Sequence, residues 1–230
     1  MSYDLWYWSS IPGRGEFVRL FLEALGETYR DLARERGDEA LVADLDGRPD
    51  VYAPPYLVTA DGAVSQAANI LLFLADRHGH GGEGMARYQV HQLQLTIADV
   101  VAEAHDVHHP VGVGDYYEDQ KAEALRAAAQ FRADRIPGFL DHFEGAIGDS
   151  GWLVGSDWTY ADLSLFQLVE GLRYAFPTRM TAIQADHPKV GALVERVRHL
   201  PALADYLASD RRLPFNEDGI FRHYPELDAA

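Results

Sequence analysis

The sequence predicts a protein in two parts, an α/β unit followed by an all-helical domain. Short strand-like and helical segments alternate in the first 80 residues, a glycine-rich segment follows, and the rest of the chain carries helical periodicity. With 230 residues, of which 47% are hydrophobic, the chain has enough material for two cores. We expect the first domain over residues 1–80, a linker over 81–84 and the helical domain over 85–230.

The first unit is expected to have the order βαβ, an irregular stretch, and then ββα. Residues 3–8 and 29–32 are strand-like, and the helix between them has apolar residues at three- and four-residue spacing before Gly26. Residues 33–52 are charged, contain glycine and proline, and are interpreted as irregular. A hairpin then precedes a helix over about 65–78, because short apolar segments flank an Asp-Gly turn.

The second part is expected to be helical throughout. Thr159 and Asp162 have the spacing of a capping box, in which each residue satisfies a free N–H at the start of a helix. Pro137 is expected to bend the long helix that contains it. The predicted helices cover 86–108, 116–147, a segment opening at Thr159, and 202–208.

Composition excludes several classes of function. The net charge of −16 repels phosphate backbones and anionic lipid, so we expect no nucleic-acid or membrane partner. The chain contains no cysteine, which excludes disulfides, thiolate metal sites and a thiol nucleophile of the protein's own. Any sulfur chemistry must therefore use the sulfur of a ligand. The start of the chain lacks the basic and apolar regions of a secretory signal, and we interpret the protein as cytoplasmic.

Three segments, in this order and at this spacing, resemble the cytosolic glutathione transferases. The first resembles the mu, alpha and pi branch, in which a tyrosine ends the first strand, and the second is similar to that family's cis-proline strand and glutamine-bearing helix. The third is similar to the capping box of its helical domain. The segments are Tyr7-Trp8 with Gly13-Arg14 and Val18-Arg19-Leu20, then Pro54-Pro55-Tyr56-Leu57 with Gln66, and finally Thr159-Tyr160-Ala161-Asp162-Leu163.

The resemblance implies an α/β thioredoxin-like N-terminal domain plus an all-α C-terminal domain, assembled as a homodimer. It implies an enzyme, in a variant that looks bacterial, whose bound glutathione attacks a small hydrophobic electrophile, as in detoxification. Two alternatives stay open. Glutathione could be regenerated, as in an isomerase, peroxidase or dehalogenase, or the chain could be a non-catalytic binding protein of the same fold.

The resemblance also implies a hydroxyl that donates a hydrogen bond to the glutathione thiolate. Tyr7 is the first candidate, although ungapped counting back from Arg14 reaches Trp8, so that Tyr7 requires one extra residue in the turn over 9–13. The turn also resembles the serine motif of other classes, which makes Ser10 the second candidate.

Arg14 is implied to bind the glycyl carboxylate of glutathione, since a guanidinium fork matches a carboxylate. The tryptophan and lysine that the family uses for this carboxylate are not evident in the irregular stretch. Arg34, Arg36 and Arg48 are open substitutes.

Further glutathione contacts follow from the same resemblance. Pro55 is expected to be cis, and Pro54 before it has no N–H, so only its carbonyl can pair with the cysteinyl residue. Gln66 at a helix start would hold the γ-glutamyl group, and Ala67 lacks the hydroxyl that is usual next to it. Asp99 resembles the aspartate that reaches the glutathione amino group of the partner subunit.

The electrophile pocket is expected at the end of the first long helix and under the aromatic tail. Imidazoles at His105, His108 and His109 also have the spacing of a metal site on one helical face. Pro110 disfavours helix at His109, and the resembled family needs no metal, so we expect none. The predicted pocket residues are His105, His109, Tyr116 and Phe215.

Overall fold

The computed structural model describes residues 2–229 and contains one four-stranded mixed sheet in its amino-terminal part. The strand order is β2-β1-β3-β4; β1 pairs with β2 in parallel and with β3 antiparallel, and β3 and β4 form an antiparallel hairpin. This arrangement confirms the predicted α/β thioredoxin-like unit and its hairpin. The strands are β1 (Tyr3–Trp6), β2 (Tyr29–Asp31), β3 (Tyr56–Thr59) and β4 (Gly62–Ser65).

Four helices accompany this sheet: α1 (Gly15–Leu25), α2 (Leu32–Arg36), α3 (Asp38–Asp46) and α4 (Ala67–His78). The prediction of an irregular stretch over 33–52 was therefore wrong for most of that range. The helix α3 buries only Leu41, so its sequence carries no apolar stripe from which a helix could be recognised.

The remainder of the described chain is helical, as predicted. A π-helical segment, Phe131–Arg135, precedes the helix in whose first turn Pro137 lies, so the proline does not itself interrupt a helix. The capping box is confirmed, with the Thr159 N–H donating to Asp162 Oδ2 at 2.8 Å. The helices are α5 (Met85–Asp106), α6 (Lys121–Gln130), α7 (Ile136–Ala146), α8 (Tyr160–Ala175), α9 (Pro177–Ile183), α10 (Pro188–Arg198) and α11 (Pro201–Leu207).

Two apolar clusters hold these elements together. The larger one includes Tyr3 and Leu5 of β1 and continues through α1, α4 and the helical part. The smaller one lies on the opposite face of the sheet and includes Trp6 and Tyr56, with Trp8 packed against it. Because successive strand residues point to opposite faces, the neighbouring side chains of Tyr7 and Trp8 are directed apart.

The helix α1 carries a buried polar network that links the sheet to the carboxyl-terminal helices. Glu16 and Arg19 are both fully buried, and Arg19 Nε donates to Asp31 Oδ2 at 2.7 Å. The Tyr206 hydroxyl of α11 donates to Glu16 Oε1 at 2.5 Å, and Arg212 forms an ion pair with the same carboxylate. The start of α1 is thereby fixed from both sides. Over residues 2–229, none of the helices has both the length and the apolar character needed to cross a bilayer.

Candidate active site

Tyr7 lies beneath the turn that leads into α1. Its side chain is buried, and its hydroxyl accepts a hydrogen bond from the backbone N–H of Arg14 at 2.9 Å. Two glycines make room for the ring: a Cβ at Gly13 would lie 2.1 Å from the Tyr7 hydroxyl oxygen, and one at Gly15 would lie 2.5 Å from Tyr7 Cγ. Gly13 also has a φ of 40°, which favours glycine.

The surroundings of Tyr7 keep its hydroxyl protonated. Burial raises the pKa of Tyr7, while the hydrogen bond from the Arg14 N–H and the charges of Arg14 and Arg19 act in the opposite direction without reversing the shift. The Arg19 guanidinium lies 5.8 Å from the centre of the tyrosine ring. Since the hydroxyl accepts from Arg14 and retains its proton, it can donate to a bound anion.

The other candidates near this turn are placed differently. Ser10 is exposed, and its carbonyl accepts a hydrogen bond from Asn216 Nδ2 at 2.9 Å. The Ser9 N–H donates to Asp38 Oδ1 at 2.9 Å. Tyr7, and not Trp8, therefore reaches the start of α1, whereas the Ser10 hydroxyl lies on the outer side of the turn.

A cavity of about 300 Å³ lies where the starts of α1 and α4 face the middle of α5; we call it the α4 cavity. The Ile70 N–H donates to the Gln66 carbonyl, so the N–H groups of 67–69 precede the helical hydrogen-bond ladder and favour an anion. Three predicted glutathione contacts, Arg14, Gln66 and Ala67, meet here. The lining residues are Arg14, Phe17, Gln66, Ala67, Ala68, Asn69, His91, Gln94, Leu95, Ile97, Ala98 and Val101.

The candidate arginines lie in different surroundings. Arg14 lines the α4 cavity beside Gln66 and Ala67, and its contact with the glycyl carboxylate stays a prediction. Arg34 donates to the backbone carbonyls of Arg211 and Asp210, at 2.6 and 3.2 Å. Arg48 forms an ion pair with Asp44 at 2.6 Å, and Arg36 is exposed. Tertiary contacts thus engage two of the three substitutes.

The predicted cis peptide bond between Pro54 and Pro55 is confirmed, and Pro55 is buried directly before β3. Neither proline lines the α4 cavity. Asp99 is exposed on α5 and is also outside that cavity, on a surface open to a second molecule.

A second cavity, of about 360 Å³, lies between the end of α5, the segment after it and the carboxyl-terminal tail; we call it the tail cavity. His105, His109 and Tyr116 meet there, as predicted. Phe215 is separated from them, because it stacks on Tyr174 of α8 with the ring centres 5.4 Å apart. The cavity is lined by His105, His109, Val113, Gly114, Asp115, Tyr116, Tyr117, Glu118, Asp218, Arg222 and Tyr224.

The three imidazoles near the tail cavity are kept neutral. Burial lowers the pKa values of His105 and His109, and it lowers that of His108 to about 3. His108 Nε2 donates to the Ile220 carbonyl at 2.8 Å, which anchors the tail on α5. In the part of the chain that the structure describes, no group of three or more His, Cys, Asp or Glu residues is arranged to hold a metal ion.

Arg14 lines the α4 cavity and also acts on a residue of the tail cavity. Its charge adds to the effect of burial in lowering the pKa of His105, which lines the tail cavity. The Tyr7 hydroxyl accepts a hydrogen bond from the Arg14 N–H, although Tyr7 itself lines neither cavity. Fold and site together define a thioredoxin-like protein with a helical domain, whose α4 cavity favours an anionic group.

The sequence analysis missed one polar residue of the α4 cavity. Gln94 is 2% exposed, and its Oε1 has no hydrogen-bond partner among residues 2–229. The sequence feature that could have identified it is its spacing, because this polar residue is in register with the apolar positions Val90, Ile97 and Val101 of the same helix.

Comparison with known proteins agrees with this architecture. A family model described as "Glutathione S-transferase, C-terminal domain" matches residues 105–210. The class-mu 26 kDa glutathione S-transferase isozyme 7 of Fasciola hepatica is 27% identical over 92% of this chain and 90% of its own. Human glutathione S-transferase Mu 4 is 25% identical over 93% of this chain and 94% of its own.

Solved structures share the fold. Monomeric Na-GST-3 from the hookworm Necator americanus superposes with a TM-score of 0.70, at 23% identity, covering 94% of this chain and 100% of that one. The chain is thus similar to glutathione S-transferases over most of its length, with mu-class proteins among the relatives.

Proposed function

We propose that the protein is a glutathione transferase of the tyrosine type, in which Tyr7 activates the glutathione thiol. The observation that carries the proposal is the Tyr7 hydroxyl held by the Arg14 N–H, 2.9 Å away, while the Arg14 side chain lines the α4 cavity. The names of the relatives support the activity. The bacterial character of the sequence stays a prediction.

The chemistry requires the thiol to lose its proton near neutral pH. A free thiol with a pKa near 8.5 is about 3% ionised at pH 7. A hydrogen bond donated to the thiolate favours the charged form, and a downward shift of about two pKa units corresponds to about 2.7 kcal/mol. Tyr7 can supply that bond because burial keeps its own proton in place. The thiolate, its proton having passed to solvent, then attacks the electrophilic carbon; with an aryl halide the carbon–halogen bond breaks, halide leaves and a thioether forms.

The α4 cavity is proposed to hold the γ-glutamyl end of glutathione. The free N–H groups of 67–69 and the Arg14 guanidinium favour its carboxylate, and Gln66 lies at the rim. The Pro54 carbonyl would accept from the cysteinyl N–H. Arg36, exposed while the other two arginines are engaged, is the candidate for the glycyl carboxylate.

The tail cavity is proposed to take the electrophile. Its aromatic walls suit a hydrophobic compound, while His105, His109 and Arg222 add polar groups. This polar wall favours a second candidate, a reaction in which glutathione is regenerated, such as isomerisation, peroxide reduction or dehalogenation. Product analysis separates the two, because a transferase consumes one glutathione per thioether formed.

We also propose a homodimer, in which Asp99 of one copy approaches the glutathione of the other. The exposed apolar side chains of Met85, Tyr88 and Leu95 on α5 support such a contact. The hookworm neighbour is monomeric, so sedimentation equilibrium of the whole chain is the measurement that decides. The domain division remains a prediction, with a thioredoxin-like glutathione-binding domain over 1–80, a linker over 81–84 and a helical domain with the electrophile pocket over 85–230, although α5 also lines the α4 cavity.

The experiment compares Tyr7→Phe with Ser10→Ala in a conjugation assay with a model aryl halide. If the hydroxyl lowers the thiol pKa by two units, its removal reduces the thiolate fraction at pH 7 by about 25-fold. The rate of Tyr7→Phe should fall by that factor and recover above pH 9, while Ser10→Ala stays near the wild type.

Two results would contradict the proposal. A Tyr7→Phe variant with the wild-type rate and pH profile, beside an inactive Ser10→Ala, would transfer the role to the serine. A wild-type protein whose thermal midpoint does not rise with millimolar glutathione would support a non-catalytic protein, because a ligand specific to the folded state must raise that midpoint.

A further inference from the structure

The side-chain amide oxygen of Gln94 is buried and has no hydrogen-bond partner in the described part of the chain, which is rare for a buried polar atom. Its Oε1 makes no hydrogen bond within residues 2–229, although the residue is only 2% exposed. A buried polar group without a partner is destabilising, because it has lost its hydrogen bonds to water and gained none. Since Gln94 lines the α4 cavity, a ligand in that cavity is the natural partner of the amide.

The rest of the cavity separates positive from neutral groups. Arg14 and the N–H groups at the start of α4 lie on one side and favour a carboxylate. On α5, Gln94 and His91 are neighbours one helical turn apart, and burial together with the charge of Arg87 lowers the pKa of His91. A neutral imidazole and an amide oxygen can accept hydrogen bonds from a cation without repelling it.

We propose that the Gln94 Oε1 accepts a hydrogen bond from the α-ammonium group of the γ-glutamyl residue. The inference rests on the proposed function and adds a residue to its binding site. An α-amino acid head group presents a carboxylate and an ammonium together, which matches donors at α4 and an acceptor on α5. The cavity of about 300 Å³ has room for a glutamyl residue.

The assignment gives Gln94 a role in specificity. The site would favour a ligand with a free amino group over one without it, since loss of the amine would leave the amide buried and unpaired again. Asp99 is exposed on the same helix and outside the cavity, so within one chain Gln94 is the nearer acceptor to the α4 donors.

The test is a cycle of two proteins and two ligands, measured by calorimetry on the whole chain. The proteins are the wild type and Gln94→Leu, and the ligands are glutathione and its deaminated analogue, glutaryl-cysteinyl-glycine. A hydrogen bond to a charged group corresponds to about a 10- to 100-fold change in affinity. Gln94→Leu should lower the affinity for glutathione by that factor and leave the affinity for the deaminated ligand unchanged.

Three controls separate this role from a structural one. Gln92→Leu makes the same replacement on the exposed side of α5 and should bind both ligands like the wild type. Gln94→Glu keeps an acceptor and should retain glutathione binding. Without ligand, Gln94→Leu should have an unchanged or higher thermal midpoint, because it removes an unpaired buried amide, and its pH profile for thiol ionisation should match the wild type.

The inference is overturned if Gln94→Leu weakens the binding of both ligands equally. That result would mean that the amide donates to the carboxylate or only shapes the cavity. It is also overturned if Asp99→Asn, and not Gln94→Leu, removes the preference for the amine, since the partner subunit would then hold it. A wild type that binds neither ligand overturns the proposed function as well. A wild type that binds glutathione leaves that function standing whatever Gln94 does.

Discussion

Replacement of Gly15 by alanine tests the packing of Tyr7 beneath the turn. Gly15 is the first residue of α1, where alanine ordinarily favours the helix by up to about 1 kcal/mol over glycine. Here the added Cβ would lie 2.5 Å from Tyr7 Cγ and 2.6 Å from Cδ1. Carbon atoms pack at about 3.5–4.0 Å, so the ring or the turn must move by about 1 Å.

The size of both effects follows from that displacement. Overpacking costs about 1–3 kcal/mol, which exceeds the gain in helix propensity and lowers the free energy of unfolding by about 1–2 kcal/mol. For a chain of this size, that change lowers the thermal midpoint by about 2–8 °C. A displacement of 1 Å at a catalytic group costs about 100-fold in rate, so turnover should fall further than stability suggests.

Thermal unfolding and the conjugation rate are measured on Gly15→Ala and on a matched control. Gly138→Ala introduces the same Cβ into α7, where it meets no atom within 4 Å, and should be neutral or stabilising. A double-mutant cycle with Tyr7→Ala isolates the contact, because Gly15→Ala should cease to destabilise once the ring is gone.

The reasoning fails if Gly15→Ala is as stable and as active as Gly138→Ala. It also fails if the cycle shows no coupling between positions 7 and 15, since the cost would then arise elsewhere in α1.

Two further predictions concern the helical part. His108 has a pKa of 6.5 when unfolded and about 3 when buried, so the stability it provides is complete above pH 6.5 and is lost as the pH falls toward 3. Between pH 7 and pH 5 the free energy of unfolding, measured with urea, should therefore fall by about 2 kcal/mol, and His108→Gln should reduce this fall. An equal fall in the variant would contradict the prediction. Thr159→Ala removes the hydroxyl that donates to Asp162 Oδ2 at 2.7 Å and should cost about 1–2 kcal/mol. Thr159→Ser should keep most of this stability in thermal unfolding, and a loss equal to that of alanine would mean that the hydroxyl is not the cause.

Much of the fold could be predicted because local chemistry decides it. The capping box at Thr159 and Asp162 and the stop at Gly26 are properties of short segments, whereas the cis bond before Pro55 was implied by the family resemblance; all three occur in the structure. The helix α3 could not be predicted, since a helix that buries a single leucine leaves no apolar period to recognise, and α2, with 5 residues, is too short to show one.

The site was predicted less completely, because its contacts join distant segments. The spacing to Arg14 did not decide whether Tyr7 or Trp8 occupies the position next to α1. Only the alternation of side chains along and just beyond β1 directs Tyr7 toward α1. The position of Arg14 beside Gln66 depends on how α1 and α4 pack together.

The sequence by itself determined the order of the strands and of most helices, the absence of a protein thiol and the turn chemistry around the prolines and glycines, since each is set by residue type or by neighbours along the chain. The tertiary structure alone decided which polar groups share a cavity. Gln94 shows the reason: its position on α5 predicts burial, but only the packing of α4 and α1 against that helix places this residue at a cavity.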